Sequence, residues 1–294
     1  MKRNLKIINQ NDEGFPFLLK EIQNPPSRIF IAGELPDDSP AGNRLKIAIV
    51  GTRKATSIGK ALAKNLAKEL AELGIVIVSG LAMGIDSAAH QGALEAKGKT
   101  IAVLANGLDK IYPSQNEGLA EKIIESEGAL ISEYPEGVPS YPNQFLERNR
   151  IVSGLCAATI IIEAPERSGS LATAKFAIEQ GREVFVIPGP ANHPNYIGSH
   201  RLIRDGARLI ASTKDILEDL NIEIKKELQS DFNDNDEFSE IHSQILKAVS
   251  QAGEPLNIDK ISHLTKLNSQ AVNQSIAFLV INGKIKETER GYTI

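Results

Sequence analysis

The sequence predicts a doubly wound α/β fold with a mainly parallel sheet, followed by a small C-terminal winged-helix domain. Short apolar, β-branched runs recur from residue 46 onward, with helical patterns between them. Runs that are apolar throughout are typical of strands buried on both faces, as a parallel sheet covered by helices requires. Glycine directly follows the helical patterns, where it favours the left-handed conformation that ends a helix.

The predicted strands share the apolar, β-branched composition. They span residues 47–50, 75–78, 100–104, 129–131, 159–162 and 184–187. The predicted helices combine helical spacing with a following glycine. They span residues 57–73, 85–97, 114–127 and 170–180. This alternation of strand and helix predicts one large domain over residues 46–222.

The flanking segments differ from this domain. Residues 1–45 contain turn signals and short apolar pieces, and we expect an N-terminal lead-in packed on the main domain. Residues 223–238 are polar and acidic and predict a linker. Residues 239–294 carry three helical patterns and a hairpin-like end, which is typical of a winged helix-turn-helix.

Charge is distributed unevenly along the chain. The net charge is −4, but residues 1–213 carry +1 and residues 214–294 carry −5. A local basic groove on the near-neutral large domain is therefore compatible with the acidic total. The last predicted helix, residues 269–282, contains no Arg or Lys, so we expect the winged helix not to read duplex DNA.

Compartment signals are few. Cys156 is the only cysteine, so no intrachain disulfide can form, which fits a reducing cytoplasm. No apolar run approaches the roughly 20 residues of a membrane helix, and the N-terminus lacks a secretory signal pattern. We expect a cytoplasmic protein without a membrane partner.

The loop after the first predicted strand of the large domain is a candidate anion site. Ligands of parallel sheets bind at the carboxyl ends of the strands, and Gly51 there permits a sharp turn into a helix start. Arg53 and Lys54 add positive charge. A plain turn with exposed basic residues explains this loop equally well.

Two further segments at the same edge favour nucleic acid. Phe145, Arg148 and Arg150 lie together, and bases stack on rings while guanidinium groups hold phosphates. The alternative is a core Phe beside a solvated helix start. The turn Ser168, Gly169 and Ser170 opens a helix after a predicted strand, which is another anion-type geometry.

Catalytic patterns are weak. Asp86 and His90 share a helix face, which would allow an acid/base or metal role, but a capping Asp and an anchoring His are the favoured interpretation. The first loop lacks the G-x-G-x-x-G and Walker A spacings, and no Cys/His cluster has metal spacing. We therefore expect no catalyst and no cofactor.

Seven ordered motifs together resemble the DNA-processing protein A (DprA/Smf) family. They are VGTRKAT, SGLAMGIDSAAHQGAL, GLDKIYPSQN, ISEYPEG, FLERNRIVSGL, ERSGSLATAKFAIEQGREVFVIPG and GSHRLIRDGA. The resemblance covers roughly residues 15–220. It implies an extended Rossmann-like domain that binds and protects single-stranded DNA, forms a homodimer and loads the RecA recombinase onto the DNA in natural transformation.

The resemblance also assigns residues. The DNA pocket of the family maps onto Gly51, Arg53, Phe145, Arg148 and Arg150, and less directly onto the 168–170 turn. This chain departs from fuller members because no sterile-alpha-motif-like domain precedes residue 15.

Two alternatives stay open within the same superfamily. One is a nucleotide phosphoribohydrolase-like enzyme, although the matching turn at residues 167–175 lacks the catalytic Glu of those enzymes. The other is a nucleotide-sensing regulator with a winged-helix output.

Overall fold

The computed structural model describes residues 5–36, 45–222, 236–252, 255–267, 272, 275–276, 279, 284–288 and 291–293. The chain divides into two units, Met1–Ile222 and Glu223–Ile294. Each unit is described by itself. Among the residues that the structure describes, no helix combines the length and apolar composition needed to cross a bilayer.

The larger unit is built on a nine-stranded sheet. Its strands are β1 (Leu5–Asn9), β2 (Arg28–Gly33), β3 (Lys46–Gly51), β4 (Val76–Ser79), β5 (Thr100–Val103), β6 (Ala129–Ser132), β7 (Ala158–Ile162), β8 (Glu183–Val186) and β9 (Arg208–Leu209). Their order in the sheet is β1-β2-β6-β5-β4-β3-β7-β8-β9. The pairings from β6 across to β9 are parallel, whereas β1 with β2 and β2 with β6 are antiparallel.

Helices connect these strands. They are α1 (Phe17–Lys20), α2 (Ser57–Glu72), α3 (Ile85–Glu95), α4 (Glu117–Glu125), α5 (Pro142–Gly154), α6 (Gly169–Glu179), α7 (Ile197–Arg204) and α8 (Thr213–Asp219). The doubly wound α/β fold predicted from the sequence is thereby confirmed. Strand β3 adjoins β4 on one side and β7 on the other. Strands β4 to β6 are therefore added on one side of β3 and strands β7 to β9 on its other side, and the order of strand addition reverses between β3 and β7. A doubly wound sheet binds ligands at such a switch point.

The N-terminal residues differ from a simple lead-in. Strands β1 and β2 form a hairpin that adds two strands to the sheet beside β6. Phe30 and Ile31 of β2 are buried, because this strand is covered on both faces like its parallel neighbours. The hairpin therefore belongs to the sheet itself.

Helices α2 and α3 approach each other closely beside β3 and β4. Thr56 caps α2 by accepting a hydrogen bond from the Gly59 N–H at 2.9 Å. At Gly92 of α3, a Cβ atom would lie 2.0 Å from the Lys64 carbonyl oxygen of α2. The absent side chain lets the two helices pack with nearly touching backbones, which fixes the middle of α2 against α3.

The smaller unit contains two described helices and a hairpin. They are α9 (Asp236–Ala252), α10 (Ile258–Thr265), β10 (Lys286–Thr288) and β11 (Gly291–Thr293). Its core is apolar and consists of Ile245, Val249, Leu256, Ile261, Val272, Ile276, Leu279 and Ile285. Most of the predicted linker and of the predicted helix at 269–282 lies outside the described residues, so the winged helix stays a prediction.

Candidate nucleic-acid interface

A cleft of about 520 Å³ opens at the switch point of the sheet. The loops after β3, β4 and β7 line it, together with Tyr112 and the first turns of α5 and α6. Eight of the nine residues predicted for the site lie on its wall, and they are Gly51, Arg53, Lys54, Phe145, Arg148, Ser168, Gly169 and Ser170.

Gly51 begins the first wall of the cleft. A Cβ atom there would lie 1.9 Å from the Ile162 carbonyl oxygen and 2.5 Å from Ile85, so only glycine fits. The chain then turns outward, and the side chains of Arg53 and Lys54 are exposed. The sharp turn predicted from Gly51 thus places two cations at the mouth of the cleft.

Three side chains, Arg53, Tyr112 and Phe145, form what we call the cleft rim. The Arg53 guanidinium lies over the Phe145 ring, with 4.9 Å from Cζ to the ring centroid. The ring centroids of Tyr112 and Phe145 are 5.4 Å apart. These cation–π and ring–ring contacts place the aromatic rings next to the positive charge of Arg53. Such a rim can stack a planar base and attract a phosphate together.

Gly80, Asp86 and Arg148 form the cleft floor. Arg148 is only 5 % exposed, and its Nη1 donates to the carbonyl oxygens of Gly80, at 2.6 Å, and Val103. A Cβ atom on Gly80 would lie 2.4 Å from Arg148 Nη1, so the guanidinium packs flat on this glycine. Arg148 therefore ties α5 to the carboxyl ends of β4 and β5.

The charges of the floor influence one another. The pKa of Arg148 is lowered to about 10, mainly by burial and also by the charge of Arg53, while Asp86 opposes the shift. Burial raises the pKa of Asp86, against the lowering effect of Arg148. Among the described residues, no carboxylate oxygen lies within 4 Å of a guanidinium nitrogen of either Arg53 or Arg148. The charges of Arg53 and Arg148 repel each other within the cleft, and an anion bound there would stabilise both.

Arg150 is placed differently from the other predicted residues. Its Nη2 donates to Glu133 Oε2 at 2.6 Å, and it is not among the residues that line the cleft. Positions two apart on a helix point about 200° apart, so Arg150 faces away from the side that Phe145 and Arg148 share. A single groove lined by Arg53, Arg148 and Arg150 is not what the structure shows.

The turn before α6 closes the opposite wall. Ser168 Oγ accepts from the Ser170 N–H at 3.3 Å and lies 2.7 Å from Ser170 Oγ. Asn149 of α5 donates to the Gly169 carbonyl oxygen at 3.1 Å. The turn is thus capped from within and tied to α5, with Gly169 exposed at the cleft.

Glu163 is a buried residue that the sequence patterns did not reveal. It directly follows β7 and lies in the left-handed region, with φ of 52°. Its carboxylate accepts hydrogen bonds from the Thr56 N–H at 2.9 Å, the Thr56 hydroxyl, Asn195 Nδ2 at 3.0 Å and the Tyr196 hydroxyl at 3.3 Å. Burial raises the pKa of Glu163, but these hydrogen bonds outweigh burial and leave the pKa below its ordinary value.

Asp86 and His90 are engaged by the fold. Asp86 Oδ2 accepts from the backbone N–H groups of Gly80 at 3.2 Å and Ala82 at 3.4 Å. His90 Nδ1 lies 2.7 Å from Thr100 Oγ1, and burial lowers the pKa of His90 to about 3. Within the described part of the chain, no three His, Cys, Asp or Glu residues are grouped as metal ligands would be.

Comparisons with known sequences agree with this architecture. A family model described as DNA recombination-mediator protein A matches residues 6–221. The chain is 42 % identical over 217 residues to Protein Smf of Escherichia coli, covering 74 % of this chain and 57 % of that protein. It is 42 % identical over 219 residues to DNA processing protein DprA of Bacillus subtilis, covering 74 % of this chain and 72 % of that protein.

Comparison with solved structures also finds DprA proteins. The X-ray structure of DprA from Streptococcus pneumoniae matches with a TM-score of 0.67 and 38 % identity, covering 73 % of this chain and 74 % of that one. A Helicobacter pylori DprA structure, described by its single-stranded DNA binding mode, matches with a TM-score of 0.64 and 31 % identity, covering 74 % and 96 %. This chain therefore belongs to the DNA-processing protein A (DprA/Smf) family.

Proposed function

We propose that this protein binds single-stranded DNA in the cleft at the switch point. The observation that carries the proposal is the rim, where the Arg53 guanidinium lies 4.9 Å from the Phe145 ring centroid beside Tyr112. A base can stack on an aromatic face only when it is unpaired, and the adjacent cations attract the phosphates of any sequence. Single strands are thus favoured over duplexes.

We propose separate tasks for the predicted residues of the cleft wall. Arg53 and Lys54 are exposed and face phosphates, and Phe145 stacks a base. Arg148 contributes its charge from the floor. The Ser168–Ser170 turn lies at the start of α6, where the helix dipole favours an anion. Arg150 acts outside the cleft, through its ion pair with Glu133.

The proposal extends to the biology that the family resemblance implies. The protein protects incoming DNA, loads RecA onto it in natural transformation, and works in the cytoplasm as a homodimer. The C-terminal unit serves a partner or regulatory role.

The protein acts as a binder without turnover. Asp86 and His90, the residues best suited to acid/base work, are hydrogen-bonded within the fold, and burial keeps His90 neutral at physiological pH. The phosphoribohydrolase-like alternative would require release of a base from a nucleoside monophosphate. The nucleotide-sensor alternative would require tight binding of a mononucleotide that alters duplex binding. Base release and mononucleotide binding can both be measured with the purified protein.

The decisive experiment compares an unstructured single strand with a duplex of equal length. We expect clear preference for the single strand. Phe145→Ala should weaken that binding by about 1–3 kcal/mol and leave the salt dependence nearly unchanged, because stacking releases no counterions. Phe17→Ala is the matched control, since Phe17 is an exposed aromatic residue outside the cleft. Equal affinity for both DNA forms would contradict the proposal.

A further inference from the structure

The loop that carries Arg53 is held from a distant part of the chain. Asn195 lies in the segment before α7, and its Nδ2 donates to the Lys54 carbonyl oxygen at 3.2 Å and to Glu163 Oε2 at 3.0 Å. One amide group thus joins the backbone of the β3–α2 loop to the buried carboxylate at the end of β7. Asn195 does not line the cleft.

The loop is fastened on both sides of Arg53. Before it, the Thr52 N–H donates to the Glu163 carbonyl oxygen at 2.8 Å. After it, the Thr56 N–H donates to the Glu163 carboxylate at 2.9 Å, and the Lys54 carbonyl accepts from Asn195. Arg53 itself is exposed. Its position over Phe145 therefore depends on backbone held at residues 52, 54 and 56.

Glu163 cannot replace Asn195 in this arrangement. Its carboxylate only accepts hydrogen bonds, and the Lys54 carbonyl oxygen also only accepts, so a donor must stand between the two. Asn195 Nδ2 supplies both N–H groups. The segment around Asn195 is itself ordered, because the Asn195 backbone N–H donates to His193 Nδ1 at 3.2 Å and Tyr196 is buried.

We propose that Asn195 is a positioning residue for single-stranded DNA binding, which sets the Lys54 carbonyl and thereby holds Arg53 over Phe145. The inference rests on the proposed function of the cleft. Asn195 acts through the loop and touches no DNA. Ordering an exposed arginine before binding removes part of the entropic cost of ordering it in the complex.

The test is a double-mutant cycle on affinity for an unstructured oligothymidylate. Asn195→Ala should weaken binding about three- to tenfold, as expected for the loss of one or two hydrogen bonds. In an Arg53→Ala background the same change should cost much less, because the residue it positions is gone. Asn192→Ala is the matched control, since Asn192 is exposed in the same segment, and it should bind like the parent.

A second variant provides a pH readout. Asn195→Asp keeps the size of the side chain but replaces the donors by a carboxylate facing Glu163, so it should bind weakly at about pH 8. The neighbouring negative charge raises the pKa of the new carboxyl, and its protonated form regains one donor. Affinity relative to the parent should therefore recover towards about pH 5. Glu163, Tyr196 and His193 face this position in parent and variant alike, so affinity is compared as the ratio of variant to parent at each pH.

The outcomes separate the inference from the proposed function. A parent that binds no single-stranded DNA overturns both. A parent that binds, with Asn195→Ala equal to it, overturns the positioning role alone. The same loss in the Arg53 and Arg53→Ala backgrounds also overturns it, because Asn195 would then act independently of Arg53. A pH-independent deficit of Asn195→Asp counts against it too.

Discussion

The floor and the rim of the cleft contain the same kinds of residue in opposite environments. Arg148 on the floor is buried and donates to two strand-end carbonyl groups, whereas Arg53 on the rim is exposed and contacts a ring. Removing a buried donor leaves its buried acceptors without a hydrogen bond, and water cannot reach them to replace it. Removing an exposed side chain leaves no buried group unpaired, so it changes stability little. The difference predicts that floor variants lose stability and rim variants lose binding.

The largest effect should come from Arg148→Met. This change leaves the buried carbonyl oxygens of Gly80 and Val103 without their donor, so the free energy of unfolding should fall by about 3 kcal/mol. Urea unfolding at neutral pH measures it. The exposed Arg167 at the same cleft is the control, and Arg167→Met should leave stability nearly unchanged. Equal stability of the Arg148 and Arg167 variants would remove the distinction between floor and rim.

An intermediate effect concerns pH and His90. Burial lowers the pKa of His90 in the folded chain to about 3, from 6.5 when unfolded. Between about pH 3 and pH 6.5 His90 is therefore protonated in the unfolded state but neutral in the folded one, and the free energy of unfolding falls as the pH drops below about 6.5. Between pH 7 and pH 5 the loss from His90 should be about 2 kcal/mol.

His90→Leu removes this titration. Unfolding of parent and variant at several pH values checks the claim, because only the difference between their two slopes reports on His90. The variant should show a flatter dependence between about pH 6.5 and pH 4, whatever its stability at neutral pH. Parallel curves would show that His90 is protonated as readily in the folded chain as in the unfolded one.

The smallest effect on stability should come from Arg53→Ala. We expect a change within about 0.5 kcal/mol, because the side chain is exposed. Binding to single-stranded DNA should nevertheless weaken for all sequences, with the slope of log affinity against log salt reduced by up to about 0.7. Titrations at several salt concentrations beside a melting curve measure both. Unchanged affinity at every salt concentration would mean that the rim does not hold phosphates.

Much of the fold follows from local patterns. The apolar runs and their following glycines predict β3 to β8 and helices α2, α3, α4 and α6 within a few residues. The N-terminal hairpin was missed as part of the sheet, because short apolar pieces separated by turns do not reveal their strand partner. Pairing of β2 with β6 joins residues about a hundred positions apart, which no local periodicity encodes.

The site shows the same limit at the level of side chains. Gly51, Arg53 and Phe145 are brought together because their loops follow neighbouring strands, which the strand-end rule predicts. The helical period of α5 could have separated Arg150 from Phe145 and Arg148. The burial of Arg148 and the role of Glu163 depend on carbonyl groups and donors supplied by other strands and loops, and those partners have no signature in sequence.

The hydrogen bonds of Glu163 and Asn195 also have a consequence for the chain as it emerges from the ribosome. Thr56 and Glu163 are 107 positions apart, and Lys54 and Asn195 are 141 apart. Long-range contacts of this kind form late, and synthesis proceeds from the N-terminus at about 5–20 residues per second. The first loop is therefore made roughly 7–28 seconds before the segment that contains Asn195. A nascent chain released before Asn195 would lack one of the partners that hold the Arg53 loop, and we expect such fragments to bind DNA more weakly than finished molecules.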